Sequence, residues 1–316
     1  MNISKSLLLT SLRRVFHPNF STSSPLENMR FVQFLRKNDP KKRLGIVSPD
    51  GNRLTELSEY SCVSSDMVNF IEQNYNIGEL ESKMECTKSE PVTDNITLLP
   101  PITNPSKVIG IGLNYLDHCT EQNKPKPKEP MFFNKFATSI VGPTGDIIAH
   151  KITNKLDWEV ELAVVIGKKA FQVKKDNAFD YIFGYTVAQD ISARDWQKER
   201  NGGQFLIGKS MDSFCPLGPS IVHKSFIKNP QDLNLTSKIN GVTKQNGNTK
   251  DMIYKIDEII EHLTQAITLN PGDIILTGTP AGVGMHRSPP EYLKPGDVVE
   301  SEIQCIGKLI NTVIEG

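Results

Sequence analysis

Hydrophobic and polar residues alternate at the start of residues 156–166, which then become continuously apolar and stop at a glycine. This pattern predicts a strand that enters a core. Because alternate side chains of a strand share a face, Glu159 and Glu161 are expected on one face and Trp158 on the other. Two carboxylates on one half-buried face repel each other unless a cation lies between them. The alternative is an exposed strand edge whose glutamates pair with lysines.

A second strand is predicted over residues 181–189, and it places Asp190 at its end. Further apolar runs of strand length cover residues 107–112 and 273–277. Residues 233–239 lead into an Asn-Gly pair, which is a strong hairpin signal. These segments predict a main domain that is rich in strands.

Helical periodicity is confined to a few segments. Apolar residues recur at helical spacing over residues 251–267, which predicts a helix there. A shorter helix, with an arrangement like a capping box, is predicted to begin at Ser192. Residues 114–121 are compatible with a third helix. Together the patterns predict a mixed α+β fold with many strands and few helices.

The chain divides into three predicted segments. Residues 1–28 are basic, rich in serine and threonine, and contain no acid before Glu27, which is typical of a mitochondrial transit peptide. A disordered tail is the alternative for this segment. Residues 29–101 are predicted to form a small N-terminal β-rich unit without obvious chemistry, and residues 102–316 the catalytic domain.

Charge and composition exclude several classes of partner. The 36 basic and 36 acidic residues cancel, and no basic block is present, so nucleic acid is not an expected partner. No segment approaches the roughly 18 apolar residues of a membrane span, so no membrane association is expected. The five cysteines are scattered and form no C-x-x-C pair, which favours free thiols in a reducing compartment.

Three carboxylates form a candidate metal site. Glu159, Glu161 and Asp190 offer hard oxygen ligands, with no cysteine or paired histidine nearby. Such a site suits Mg2+ first, and Mn2+ or Ca2+ as well. Mg2+ keeps coordination positions open for water or a chelating substrate, as a catalytic site requires.

A candidate acid-base pair lies upstream of these acids. His118 and Glu121 are three residues apart, so one helical turn places them side by side. A carboxylate that holds and polarises an imidazole produces a general base near neutral pH. The alternative is a surface histidine with a helical neighbour. Cys119 is not expected to act as a nucleophile, because adjacent residues do not face one another.

Several other polar residues are candidates for substrate contact. Arg194 and Gln197 are one helical turn apart, and they either hold the acid end of a substrate or order the third metal ligand. Lys135 ends an apolar run, and its amine either meets a substrate oxygen or reaches solvent. Lys209 and Thr279 follow glycines; the threonine belongs to a glycine-rich turn able to present backbone N–H groups to an anion.

Taken together, these motifs resemble those of the fumarylacetoacetate hydrolase family. They span about two thirds of the chain in the family's order, at residues 110–118, 133–135, 157–162, 189–197, 208–210 and 277–284. The resemblance implies a β-roll-like catalytic domain, a homodimer, and active-site roles for Lys135 and Lys209. It also implies that His118 and Glu121 belong to a mobile lid. Residues 123–130 either continue this lid or form a plain surface loop.

The resemblance is greatest to a short mitochondrial branch of the family. It implies an oxaloacetate tautomerase of the mitochondrial matrix that converts the enol form of this small 2-oxo dicarboxylic acid into the keto form. An acylpyruvate-type hydrolase of C–C bonds and an oxaloacetate decarboxylase are the alternatives, because all three reactions use a metal-stabilised enolate. A non-catalytic, metal-stabilised binding protein is disfavoured, because ligands, cations and an acid-base pair occur together.

Overall fold

The computed structural model describes residues 15–16, 29–58, 63–80 and 89–316. The predicted transit peptide, residues 1–28, therefore lies outside the described residues except for Val15 and Phe16. These two side chains are buried against the first strands of the fold.

The described residues form many short strands, which confirms the prediction of a strand-rich α+β fold. The strands are β1 Arg30–Arg36, β2 Asp39–Val47, β3 Arg53–Glu56, β4 Glu90–Pro91, β5 Ile96–Leu98, β6 Val108–Gly112, β7 Met131–Lys135, β8 Ile140–Val141, β9 Ile147–Ala149, β10 Leu156–Asp157, β11 Val160–Ile166, β12 Ile182–Gln189, β13 Ser192–Ala193, β14 Cys215–His223, β15 Asn234–Ile239, β16 Val242–Asn248, β17 Ile274–Leu276, β18 Val298–Ile303 and β19 Gly307–Glu315.

The α-helices whose full extent the structure describes are short. They are α1 Met67–Glu72, α2 Leu116–Glu121, α3 Arg194–Lys198, α4 Phe205–Ser210 and α5 Ile256–Thr264. Among these residues, no helix combines the length and the apolar character that crossing a membrane requires.

One large sheet carries the site. Its strand order is β4-β3-β2-β1-β14-β12-β11-β17-β6-β7, with β5 paired to β1 and β8 paired to β14. The central strand β11 is buried on both faces: Val160 and Leu162 belong to one core cluster, and Ala163 and Val165 belong to another. Burial on both faces explains why the segment is almost continuously apolar.

A second sheet packs beside the first. Its order is β16-β15-β18-β19-β9, and a separate pair joins β10 to β13. The hairpin predicted at Asn240 is present in this sheet, and a second hairpin joins β18 to β19 near the C-terminus. Strand β1 of the N-terminal segment pairs with β14, so the strands of residues 29–101 continue the large sheet. The division of the chain at residue 101 stays a prediction.

The predicted strand over residues 156–166 is wrong in one respect, because it is interrupted at Trp158 and Glu159. Side chains replace the sheet hydrogen bonds there. The Trp158 backbone N–H donates to Asp157 Oδ1 at 2.8 Å, and the Glu159 backbone N–H donates to Gln189 Oε1 at 2.8 Å. The chain can therefore leave the sheet between β10 and β11 without leaving these two N–H groups unpaired.

Two helix predictions also need correction. The long helix occupies Ile256–Thr264 rather than residues 251–267, because the Thr264 carbonyl accepts from the backbone N–H of Gln172 at 2.7 Å. The helix after β13 begins at Arg194 without a capping box, because the Ser192 hydroxyl donates to the Asp190 carbonyl instead.

Candidate active site and metal centre

The three predicted metal ligands meet at one end of the β11–β12 pair. Antiparallel pairing of Val160 with Gln189 places Glu159, Glu161 and Asp190 at the same point. One carboxylate oxygen from each residue lies within 4.8 Å of the others, and all three side chains are buried.

Two buried lysines and one arginine contact these carboxylates. Lys209 Nζ donates to Glu159 Oε2 at 2.7 Å and to Asp190 Oδ2 at 2.5 Å. Lys135 Nζ donates to Asp190 Oδ1 at 2.6 Å, and the Arg194 guanidinium lies 2.6 Å from Glu159 Oε1. The predicted cations therefore hold the carboxylates in place, which a buried charge requires.

Glu161 differs from the other two acids. Within the described residues it forms no ion pair, and its Oε2 accepts from the Gly278 backbone N–H at 2.6 Å. Burial, followed by the negative charges of Asp190 and Glu159, raises the pKa of Glu161 well above its usual value. Burial also acts to raise the pKa of Glu159, but the Lys209 and Arg194 cations outweigh it and hold that pKa well below its usual value.

This arrangement fits a divalent cation. The donor set consists of three converging carboxylates, which suit a hard cation rather than zinc. The charge of Lys209 offsets the repulsion at Glu161 only in part, because the pKa of Glu161 stays raised, and a metal ion would supply a further cation. The residues therefore fit the metal dependence that the sequence predicts.

The predicted acid-base pair lies on α2. His118 Nδ1 is 2.5 Å from Glu121 Oε1, and His118 Nε2 is 2.7 Å from the amide Nε2 of Gln122. An ionised carboxylate only accepts and an amide nitrogen only donates, so the imidazole proton belongs on Nδ1. His118 Nε2 is then the basic nitrogen.

The glycine-rich turn, residues 278–285, binds carboxylates of the protein itself. Besides Gly278, the backbone N–H of Gly282 donates to Glu121 Oε2 at 2.8 Å. The N–H groups of Gly284 and Met285 donate to the two oxygens of Asp157 at 2.7 and 3.0 Å. The expected anion-binding groups are therefore present, but they position acids of the site.

The remaining predicted residues have defined partners. Arg194 Nε donates to Asp157 Oδ2 at 2.8 Å, and one of its terminal nitrogens donates to Gln197 Oε1 at 2.9 Å. Arg194 thus orders Glu159 rather than Asp190. The Thr279 hydroxyl donates to the Val160 carbonyl at 2.9 Å, so its proton is used within the protein.

A cavity of about 320 Å³ adjoins the carboxylates. Of the predicted residues, its lining includes His118, Glu159, Glu161, Arg194, Gln197, Lys209 and Thr279. Asp190, Glu121 and Lys135 are not among the residues that line it. The cavity thus exposes His118, two of the three carboxylates and two cations to one small ligand.

Sequence reasoning missed four polar residues that line this cavity, namely Gln122, Lys124, Lys198 and His286. Gln122 lies four residues after His118, so helical spacing was a usable signal. The His286 ring lies 6.4 Å from the His118 ring, centroid to centroid, and burial lowers the pKa of His286. No local pattern indicated His286, because chain folding after the glycine-rich turn places it there.

Cys119 carries no catalytic contact. Its thiol is buried and lies 3.6 Å from the Leu113 carbonyl, away from the imidazole of its neighbour. The expectation that this cysteine is not a nucleophile stays a prediction.

Comparison with known proteins gives a consistent result. Residues 107–314 match the family model described as fumarylacetoacetate hydrolase, C-terminal. The chain is 46% identical over 295 residues to the mitochondrial oxaloacetate tautomerase fahd2 of Xenopus laevis, which covers 93% of this chain and 92% of the relative. It is 43% identical over 293 residues to the mitochondrial oxaloacetate tautomerase FAHD2A of Homo sapiens, with 92% and 93% covered.

The fold is also similar to solved structures. The fumarylacetoacetate hydrolase of Exiguobacterium antarcticum superposes with a TM-score of 0.81 at 34% sequence identity, covering 91% of this chain and 100% of that one.

Proposed function

This chain belongs to the fumarylacetoacetate hydrolase family, and on that premise we propose that it is a Mg2+-dependent oxaloacetate tautomerase that converts enol-oxaloacetate into keto-oxaloacetate. The predicted family, its fold and the enzymatic nature of the protein are confirmed by the comparisons. The names of the two tautomerase relatives support the choice of reaction.

The proposed cellular location of the protein is supported by the same two relatives. Both are named as mitochondrial, which supports a mitochondrial enzyme. The matrix as its compartment, residues 1–28 as its transit peptide and the homodimer as its assembly remain parts of the proposal.

The proposed metal ligands are Glu159, Glu161 and Asp190. A bound Mg2+ would supply Lewis-acid stabilisation of the negative charge that develops on the oxygens of a 2-oxo acid. Mn2+ and Ca2+ accept the same oxygen donors. Lys209 and Lys135 hold Asp190 from the protein side, and Arg194 holds Glu159, so the carboxylates keep their positions during the reaction.

His118 is the proposed proton carrier. Ketonisation removes the proton of the C2 hydroxyl and adds a proton at C3, so no oxidant or reductant is needed. Once substrate displaces the Gln122 amide, His118 Nε2 accepts the hydroxyl proton, and the imidazolium returns a proton to C3. Glu121 stabilises that imidazolium through Nδ1. Proton transfer of this kind contributes about 10² to 10⁴ in rate.

Substrate contact is assigned to the cations and amide of the cavity wall. Arg194 and Lys209 present donors for the carboxylate adjacent to the 2-oxo group, and the Gln197 amide lies beside the guanidinium. Thr279 lines the cavity and contributes by fixing the β11 backbone at Val160.

One observation carries the proposal: the basic nitrogen of His118 and the carboxylates Glu159 and Glu161 line a single cavity sized for a small acid. The same constellation could activate water against a second carbonyl. Hydrolysis of a C–C bond therefore stays an alternative, because a similar solved structure is named a fumarylacetoacetate hydrolase. Oxaloacetate decarboxylation stays a second alternative.

The test follows the ultraviolet absorbance of freshly dissolved enol-oxaloacetate with purified protein and Mg2+, alongside a pyruvate assay. We expect accelerated loss of the enol signal without pyruvate, and EDTA should abolish it. Pyruvate formed in step would indicate a decarboxylase, and turnover of acylpyruvates alone a hydrolase. Glu159→Ala and Asp190→Ala should be inactive but folded, whereas Glu199→Ala, which removes an exposed acid paired with Lys155, should retain the wild-type rate.

A further inference from the structure

The cations of the cavity fall into two groups. Arg194 and Lys209 contact carboxylates of the metal site. Lys124 and Lys198 also line the cavity, but neither forms an ion pair within the described part of the chain. The ammonium groups of this second group can therefore bind an anionic ligand without competing with a carboxylate of the metal site.

Lys198 is held at the cavity mouth by an aromatic ring. It is the last residue of α3, and its ammonium lies 5.7 Å from the centroid of the Phe205 ring, within the range of a cation–π contact. Phe205 in turn packs against Phe133, with ring centroids 5.7 Å apart. The residue as a whole is exposed, but its amine lies against this packed ring and is therefore partly removed from solvent.

Lys124 lines the cavity from the segment that follows α2, whereas Lys198 belongs to α3. The Lys124 backbone N–H donates to the Cys119 carbonyl at 2.9 Å, which ties the residue to the end of α2. It therefore moves with the helix that carries His118. A ligand group held by both lysines would join α2 to α3 across the cavity.

Lys124 and Lys198 line the same cavity, so their positive charges repel each other. Burial, followed by the positive charge of Lys124, lowers the pKa of Lys198 to about 8. Arg194 and Lys209 lower it further, and Glu159 is the acid that opposes them. Two mutually repelling ammonium groups gain most from a ligand that carries a negative charge of its own.

We propose that Lys124 and Lys198 bind the second carboxylate of a four-carbon 2-oxo dicarboxylic acid and so select dicarboxylates over monocarboxylates. This inference rests on the proposed function, in which the metal site and Arg194 bind the other end of the substrate. The distal carboxylate of the substrate bridges the two lysines.

Binding of two unreactive ligands isolates this contact. L-malate and L-lactate share a carboxylate and an adjacent hydroxyl, but only malate has a second carboxylate. Their dissociation constants should be measured by calorimetry in Mg2+ for the wild type, for Lys124→Met/Lys198→Met, and for the control Lys128→Met/Lys151→Met. The control removes the same charge from two exposed lysines that do not line the cavity.

We expect wild type and control to bind malate about tenfold more tightly than lactate, and the double variant to bind malate only about twofold more tightly. In the wild type, the malate preference should fall as pH rises through about 8, because Lys198 then loses its charge. For enol-oxaloacetate, KM should rise about tenfold in the double variant, with kcat nearly unchanged.

Equal malate preference in the double variant and the control would overturn the proposal, as would a wild type that does not distinguish malate from lactate. A wild type that prefers malate through these lysines but does not consume enol-oxaloacetate would support the carboxylate site and remove the proposed activity. The carboxylate site and the proposed tautomerase activity are therefore tested by different experiments.

Discussion

The carboxylate of Glu121 accepts a hydrogen bond from the backbone N–H of Gly282, at 2.8 Å and across 161 residues of sequence. The other oxygen of that carboxylate contacts His118, so the orientation of the base depends on the glycine-rich turn. Gly282 has φ +106°, and a Cβ there would lie 2.2 Å from the Lys244 carbonyl oxygen. Only glycine fits this position, and through Gly278 the same turn also holds Glu161.

Glu121→Gln should leave α2 in place but reverse the imidazole tautomer. Because Gly282 N–H is a donor, the amide oxygen of the new glutamine must face it, and the NH2 group then donates to His118 Nδ1. The proton moves to Nε2, which can no longer act as the base. We expect kcat for loss of enol-oxaloacetate to fall by about 10² to 10³, with little change in the thermal midpoint of unfolding.

Asp117→Asn is the matched control for that variant. Asp117 Oδ2 accepts from the Ala281 N–H of the same turn at 3.2 Å, but it does not touch the imidazole ring. Its replacement makes the same charge change and should lower kcat by less than about fivefold. Equal rates in Glu121→Gln and the wild type would contradict the assigned tautomer.

Glu161→Gln and Asp190→Asn should have opposite effects on the metal-free protein. Asp190 is the partner of both Lys135 and Lys209, so its loss leaves buried ammonium groups undercompensated and should lower the free energy of unfolding by about 3 kcal/mol. Glu161 has no such partner, and a glutamine oxygen can still accept from Gly278. We therefore expect Glu161→Gln to keep or raise the stability in EDTA.

Urea denaturation with EDTA and with Mg2+ measures both effects. Mg2+ should stabilise the wild type, because it binds the folded state, and each variant should lose most of that gain. If Glu161→Gln were as destabilising in EDTA as Asp190→Asn, the carboxylate of Glu161 would be a stabilising group and its repulsion by the other two acids would be refuted.

The sequence alone was sufficient to predict that the three carboxylates of the site lie together. Glu159 and Glu161 flank the first residue of a core strand, and Asp190 follows the next strand along the chain, so simple antiparallel pairing brings them together. Strand β11 was recognisable because a strand buried on both faces is almost entirely apolar. The break at Trp158 was not recognisable, because it depends on the distant side chain of Gln189.

The partners of these groups could not be predicted in the same way. The identity of the carboxylate that Arg194 contacts, and the contact between Glu121 and Gly282, depend on how α3 and the glycine-rich turn pack. Lys198 has no local signal at all: its role follows from Phe205 and from a lysine on another element. Periodicity specifies elements and faces, whereas these contacts are set by tertiary packing.

Acid should weaken the fold through His223, at the end of β14. Burial, followed by the charge of Lys224, lowers the pKa of His223 to about 4, and its ring packs against Phe183 and Phe226. Between pH 6.5 and about 4 the unfolded chain binds a proton that the folded chain does not, so stability is lost as pH falls. His223→Phe should reduce the difference in the free energy of unfolding between pH 7 and pH 5 by about 1 to 2 kcal/mol. Denaturation at both pH values tests this, and an undiminished difference in the variant would show that His223 does not carry the acid sensitivity.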